Sequence, residues 1–314
     1  MFVLTDCIDY ARQVFPAAVT WTPSSQAELT PATRRLTDRL GPRACWQQSE
    51  LDVGGFDRVI LVREASESQF DVLRDRAGSG ELPSGSTVCL AGSGRGFHGH
   101  RGRSWTASAG NLHISVALEP RRVISHFGAV FMALPAVAAA LAIESVVPAA
   151  KPVGIKWVND VIVGEAKIAG VIAHTRSSGM RVDHAVLGVG LNVETTPTIE
   201  RSPFVPRAGS LRELDPRVTQ DEVLGSLLRH LDALYRAVIA EEADRVVSAY
   251  RDRSVVLGKD VEIHPDGEGG SVLSGRVCAI GDDLELMLEG RTAPVTRGRL
   301  ITMHDDRGEP RGDP

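Results

Sequence analysis

No C-x-x-C pair occurs anywhere in the chain. Its four cysteines, Cys7, Cys45, Cys89 and Cys278, are scattered over the whole length, which excludes a zinc knuckle and a disulfide framework and implies a reducing cytoplasm. The start, MFVLTDCIDYARQ, lacks the basic residues and the uninterrupted apolar run of a secretory leader, because Asp6 and Asp9 lie inside it. Positive charge is not in excess either: 35 Lys and Arg stand against 40 Asp and Glu, a formal net charge of -5. This argues against a general nucleic-acid or acidic-membrane binder, so any basic function must be local. Long hydrophobic runs are missing but for FGAVFMALPAVAAALAI, Phe127 to Ile143. That run is at the short limit for a bilayer, rich in Ala and interrupted by Pro135, and it reads as a buried core helix. The first fifty residues carry one helical stretch, SQAELTPATRRLTDRL, starting near a serine cap, and no second helix at helix-turn-helix spacing.

What remains is patterned. A length of 314 residues suggests about two domains. RVILVREA (Arg58 to Ala65) and STVCLAG (Ser86 to Gly92) read as strands, with the capped helix SESQFDVLRDRAG between them. NLHISVAL alternates, Leu112, Ile114, Val116 and Leu118 marking a strand with one buried face. VGIKWVNDVIVGEAKIAGVIAHT offers two β-branched runs joined at residues 164–166, and DHAVLGVGLNVET adds a further partner. TQDEVLGSLLRHLDALYRAVI has apolar residues three and four apart, as an amphipathic helix requires. From Val255 the texture changes to short β runs fitting a small barrel of about fifty residues, and the tail HDDRGEPRGDP is expected to be disordered.

Acidic residues vanish from Leu82 to Leu118, while Arg95, His98, His100, Arg101 and Arg103 fall within nine positions. In an acidic protein that is a local anion site. The interleaved glycines allow backbone N–H groups to approach a ligand, but the loop runs from strand to strand and so matches neither a P-loop nor a dinucleotide fingerprint. Trp105 closes it with a flat face for a ring or an arginine stem. The bland alternative is a solvated basic loop. KWVND places Lys156 and Asp160 at the mouth of a hairpin, with Lys167 returning across the pair near Asp160; taken singly these could be a surface ion pair worth about 0 to 1 kcal/mol. GVGLN sets Gly188 and Gly190 inside a strand, either for tight packing or for close approach of a ligand.

FHGHRGRSW, KWVND, KIAG and GVGLN, in this order, resemble the catalytic domain of biotin protein ligases, whose patterns are G-R-G-R-R-G-R-x-W, K-W-P-N-D, K-[LI]-A-G and G-[IAV]-G-[IL]-N. The resemblance runs over about Arg63 to Met303. It implies an α+β fold, a mixed and mainly antiparallel sheet with packed helices of the class II synthetase-like type, plus a small C-terminal SH3-like β-barrel. The corresponding division is residues 1–55 as an extension of uncertain role, 56–250 as the ligase domain, 251–303 as the barrel and 304–314 as the tail. It implies adenylation of biotin by ATP, with Mg²⁺ carried on the nucleotide and no certain metal ligand from the protein, then transfer to a lysine of a biotin carboxyl carrier domain by a cytoplasmic monomer or homodimer, with no nucleic acid or membrane as partner.

By the same resemblance Lys167, Asp160, Arg101 and Arg103 are catalytic. His98, Gly99, His100, Gly102, Trp105, Asn159, Lys156 and Asn192 hold ATP or the adenylate, and Ser66, Ser68, Gln69, Gly170 and Gly188 hold biotin. Three departures stand out: His98 and His100 replace arginines, Gly94 replaces a glutamine, and SESQ replaces Ser-Thr-Asn-Gln, bringing in Glu67. Two other readings stay open, a ligase-fold paralogue for another acid such as lipoate or octanoate, and a non-catalytic protein that binds a small acid.

Overall fold

The computed structural model describes every residue except 1, 18–19, 26–28, 42–45, 51–54, 150, 201, 206, 267–269 and 304–314. In chain order the N-terminal part supplies β1 (Phe2–Thr5), α1 (Ile8–Val14), β2 (Thr22–Pro23), α2 (Pro31–Leu40) and β3 (Gln47–Glu50). Then come β4 (Arg58–Ala65), α3 (Gln69–Ser79), β5 (Thr87–Gly94), β6 (Leu112–Leu118), β7 (Arg122–Val123) and α4 (Phe127–Glu144). They are followed by β8 (Val153–Lys156), β9 (Asp160–Val163), β10 (Ala166–Ser178), β11 (Arg181–Leu191) and β12 (Arg207–Ala208). Two helices, α5 (Gln220–Ile239) and α6 (Ala243–Asp252), lead to β13 (Asp260–His264), β14 (Leu273–Ile280), β15 (Leu286–Leu288) and β16 (Arg299–Thr302).

One mixed, mainly antiparallel sheet runs β2-β3-β1-β4-β5-β6-β11-β10-β9-β8, with β12 on β10 and β7 on β11. Its core is organised by α4, whose residues from Ala133 to Ala140 are all buried. The helix passes straight through Pro135, where the missing N–H and the ring clash cost about 3 kcal/mol in an isolated helix. Enclosure by α5, α6, β10 and β11 offsets that cost. By length and composition α4 could cross a bilayer, yet 72% of it is buried inside this fold. α5 starts after Thr219, whose backbone N–H donates to the Glu222 carboxylate at 3.3 Å, as in a capping box.

Three expectations need correction. Residues 1–55 are not set apart from the main sheet: β1 lies between β3 and β4, pairing in parallel with Arg58 to Leu61, and Val3, Tyr10, Ala11 and Val14 enter the same core as α4. A four-residue strand has too weak a period to be seen alone. Helix α2 starts at Pro31, not near a serine, because Thr30 accepts the N–H of Thr33 at 3.2 Å and Pro31 suits the first helical position. Strand β6 is buried on both faces, one against α4 and the other against α3 and a cavity, so its alternation marks chemistry more than exposure. The expected tail lies outside the described residues.

The C-terminal β unit is a four-stranded antiparallel sheet, β15-β14-β13-β16. It is tied to the rest of the fold by Trp157 of the β8–β9 turn, whose Nε1–H donates to Leu284 O at 2.7 Å, and by Arg251 of α6, whose Nε–H donates to Ile280 O at 2.8 Å. Phe131 on α4 is 0% exposed and belongs to the main core cluster, so truncating it leaves a cavity there. Phe131→Ala is expected to lose about 3–5 kcal/mol of unfolding free energy in urea titrations, without altering the native far-UV spectrum.

Candidate active site

The strand register builds the site. Asp160 on β9 faces Gly170 on β10, Gly170 faces Gly190 on β11, and Gly190 faces His113 on β6. Four strands thus contribute one row, and its two middle members have no side chain. Trp105 fills that space: a Cβ on Gly190 would stand 2.3 Å from its Cε2, and one on Gly170 would stand 3.3 Å from its Cζ3. The indole Nε1–H donates to His113 Nδ1 at 3.3 Å, and His113 Nε2–H donates to Ser108 O at 3.0 Å. The imidazole is therefore the Nε2–H tautomer. The next row, Ile172, Gly188 and Ser115, extends the same floor.

Above this floor lies a cavity of about 330 Å³. Of the residues singled out in the sequence, Ser68, His98, Gly99, His100, Arg103, Trp105, Asn159, Lys167, Gly170, Gly188 and Asn192 all line it. Its lining combines the apolar Phe70, Phe97 and Ile172 with the cationic Lys167, Arg103 and Arg299, and among the described residues Glu200 is the one carboxylate there. Such a lining suits a ligand with an apolar body and an anionic head.

Lys167 sits where two cavities meet. Its Nζ is 2.7 Å from Asp160 Oδ1 and 5.7 Å from the centre of the Trp105 ring. Asp160 itself lines adjoining cavities of about 200 and 280 Å³ instead of the first one. The hairpin has a bulge between Lys167 and Ala169, so lysine and aspartate are diagonal neighbours that meet through the length of the lysine stem.

Several expected roles change. Lys156 donates to Phe204 O at 2.7 Å and lines only the adjoining cavities. Burial lowers its pKa, Asp160 partly restores it, and Lys167 and Arg299 lower it further. Arg101 turns away from the first cavity to form an ion pair with Asp266 of the C-terminal unit, and Gly102 supplies a positive φ of 73° without lining the cavity. The chain bends at Ser66 and Glu67, which leaves Ser66 exposed, and Gln69 is wholly buried at the start of α3, so neither lines the cavity. Glu67 bends outward to Arg39, at 2.8 Å.

Asn159 and Asn192 spend their side-chain N–H groups on Val171 O and Gly209 O, both at 3.0 Å, and so brace the wall as much as they line it. Gly94 has no room for the expected glutamine, since a Cβ there would lie 2.4 Å from the Phe97 ring.

The two loop histidines differ. His98 Nε2 lies 2.8 Å from Asp71 Oδ2 on α3. His100 is pushed down to about 4, first by burial and then by Arg101 and Arg103, against the pull of Asp160. It contributes no positive charge near neutral pH.

His113, Ser115 and Arg299 were missed in the sequence. The first two occupy the polar positions of NLHISVAL, a signal that the strand's second face is functional. Arg299 comes from β16, far along the chain, and stacks its guanidinium 3.7 Å from the Phe204 ring. Among the described residues no group of three or more His, Cys, Asp or Glu is gathered to hold a metal ion.

His113 is likewise pushed down to about 4 by burial. An unfolded histidine binds its proton near pH 6.5, so on acidification the unfolded chain takes up protons before the folded one does. Stability contributed by the neutral rings is fully present above about pH 6.5 and declines as pH falls toward about 4. The melting temperature is expected to drop between about pH 7 and about pH 5, and to drop less in His113→Gln.

Residues 63–192 match the Biotin/lipoate A/B protein ligase family. The biotin-(acetyl-CoA-carboxylase) ligase of Mycobacterium tuberculosis is 31% identical over 244 residues, 74% of this chain and 81% of that protein. The enzyme of the same name from Paracoccus denitrificans is 34% identical over 119 residues, 36% of this chain and 47% of that protein. Among solved structures, the biotin protein ligase of Aquifex aeolicus in complex with biotin and ATP superposes with a TM-score of 0.59 at 20% identity, over 79% of this chain and 99% of that one. With the cavity and its motif residues in place, the 31% identity across most of a named ligase decides the assignment: this chain belongs to the biotin protein ligase family.

Proposed function

We propose that the protein activates biotin with ATP as biotinyl-5'-AMP and transfers the biotinyl group to a lysine of a carboxyl carrier domain. The observation that carries this reading is Lys167, which lines the main cavity beside the Trp105 ring while its amine is paired with Asp160 of the adjoining cavities. In the first step a carboxylate oxygen attacks the α-phosphorus of ATP, the new O–P bond forms and pyrophosphate leaves. Two anions must be brought together, so cations already fixed in place lower the barrier without rearranging. Lys167 and Arg103 line the cavity, and Arg299 joins them from the C-terminal unit.

In the second step the carrier lysine amine attacks the activated carbonyl and AMP leaves. Asp160 lines the cavities on the other side of Lys167, where an incoming ammonium would meet a carboxylate that stabilises it and can accept its proton. The Trp105 face and the glycine floor support the adenylate, and the loop from Phe97 to Trp105 shields it from water. Magnesium would be held largely by nucleotide oxygens, as such ions usually are. We take the C-terminal four-stranded sheet as the family's SH3-like unit, and the cytoplasm as the place of action, in keeping with the free thiols Cys7, Cys89 and Cys278.

The test is ATP–pyrophosphate exchange across a panel of acids. Exchange with biotin is expected, and strong exchange with lipoate or octanoate but none with biotin would overturn the choice of acid. Lys167→Ala is expected to lower exchange by about 10²- to 10³-fold, as removal of one charge-stabilising group does elsewhere. Unchanged exchange would remove Lys167 from its role.

A further inference from the structure

SESQ carries a carboxylate, Glu67, beside Ser68, which lines the main cavity. A second negative charge at the rim of a site for a carboxylic acid opposes binding unless it is paired or turned away. Here it is both. Arg39 of α2 grips it with two parallel bonds, Nε to Oε1 at 2.8 Å and Nη2 to Oε2 at 2.9 Å. Among the described residues no other cation pairs with Glu67.

The same guanidinium reaches further. Arg39 Nη2 donates to Asp75 Oδ2 at 3.0 Å, and Arg74 Nη2 donates to Asp75 Oδ1 at 3.3 Å. Arg74 Nη1 is 2.6 Å from Asp71 Oδ1, and Asp71 Oδ2 is 2.8 Å from His98 Nε2. A string of alternating charges therefore runs along α3 from Glu67 to His98. Its two ends adjoin Ser68 and include His98, both of which line the cavity. Its first link comes from the N-terminal 55 residues, to which the reaction so far assigns no part.

We propose that Arg39 is a positioning residue for the acid pocket: by pairing with Glu67 and Asp75 it keeps the Glu67 carboxylate out of the site and holds Ser68 and His98 in place from outside. Resting on the acyl-adenylating reading of the cavity, this predicts a selective effect on the acid. In Arg39→Gln the exchange KM for biotin rises roughly tenfold, the lower end of what is lost when an outer partner of a binding group is removed, while kcat and the KM for ATP stay within about twofold. The double variant Arg39→Gln/Glu67→Gln returns the biotin KM close to that of the wild type, because a neutral residue 67 needs no cation.

An unchanged biotin KM in Arg39→Gln overturns the proposal. So does a parallel rise in both KM values that the second substitution does not reverse, which would mark a purely structural helix contact. A wild-type protein inert with biotin but active with another acid overturns the biotin reading alone. The ratio of variant to wild type, measured with that acid, then decides the role of Arg39.

Discussion

The close approach of the Trp105 ring to the glycine positions 170 and 190 is the constraint on which the rest of the site depends. It exists because two adjacent strands place glycine at the same register position, and because His113 on the next strand receives the indole N–H. A methyl group on Gly190 would displace the ring, since it would stand 2.3 Å from Trp105 Cε2. The contact also fixes where the cationic loop ends, and it leaves Lys167 facing both the ring and Asp160. The fold supports this arrangement from beneath, since α4 buries the opposite face of β10 and β11 and leaves their register no freedom to slip.

Charge in the site is divided by placement more than by amount. Lys167, Arg103 and Arg299 face the main cavity, Lys156 is held by Phe204 O, and Arg101 is engaged with Asp266. The two loop histidines do not act as replacement arginines of equal worth. His100 is neutral above about pH 4, and His98 is tied to Asp71 on α3. The C-terminal sheet is part of the same electrostatic unit, because it supplies Arg299 and receives Arg101. A site built in this way couples three parts of the chain that are far apart in sequence: the loop after β5, the hairpin of β9 and β10, and β16.

Much of this was legible from residue order. The loop's lack of acids announced an anion site, and the loop from Phe97 to Trp105 except Gly102, all of KWVND, Lys167 and Gly170 of KIAG and all of GVGLN but Leu191 line one cavity or the one next to it. The apolar run at Phe127 announced the core helix, although Pro135 suggested a break that packing overrides. The alternation of NLHISVAL predicts a strand with one buried face. His113 and Ser115 instead lie under a cavity, because a second layer covers them, and no pattern within a single strand reports what lies above it.

Sequence by itself determined which side chains could serve the chemistry, because spacing within a loop or hairpin is local and the turn at residues 164–166 brings Lys167 back to Asp160. Only the tertiary structure decided which of them line the main cavity. Ser66, Gln69, Lys156 and Arg101 carry suitable groups but are turned elsewhere by a bend, by burial, by a carbonyl and by an aspartate. Conversely, Arg299 and Arg39 enter the account from opposite ends of the chain. Their roles rest on contacts between separate elements, which depend on how layers pack and not on the order of neighbouring residues.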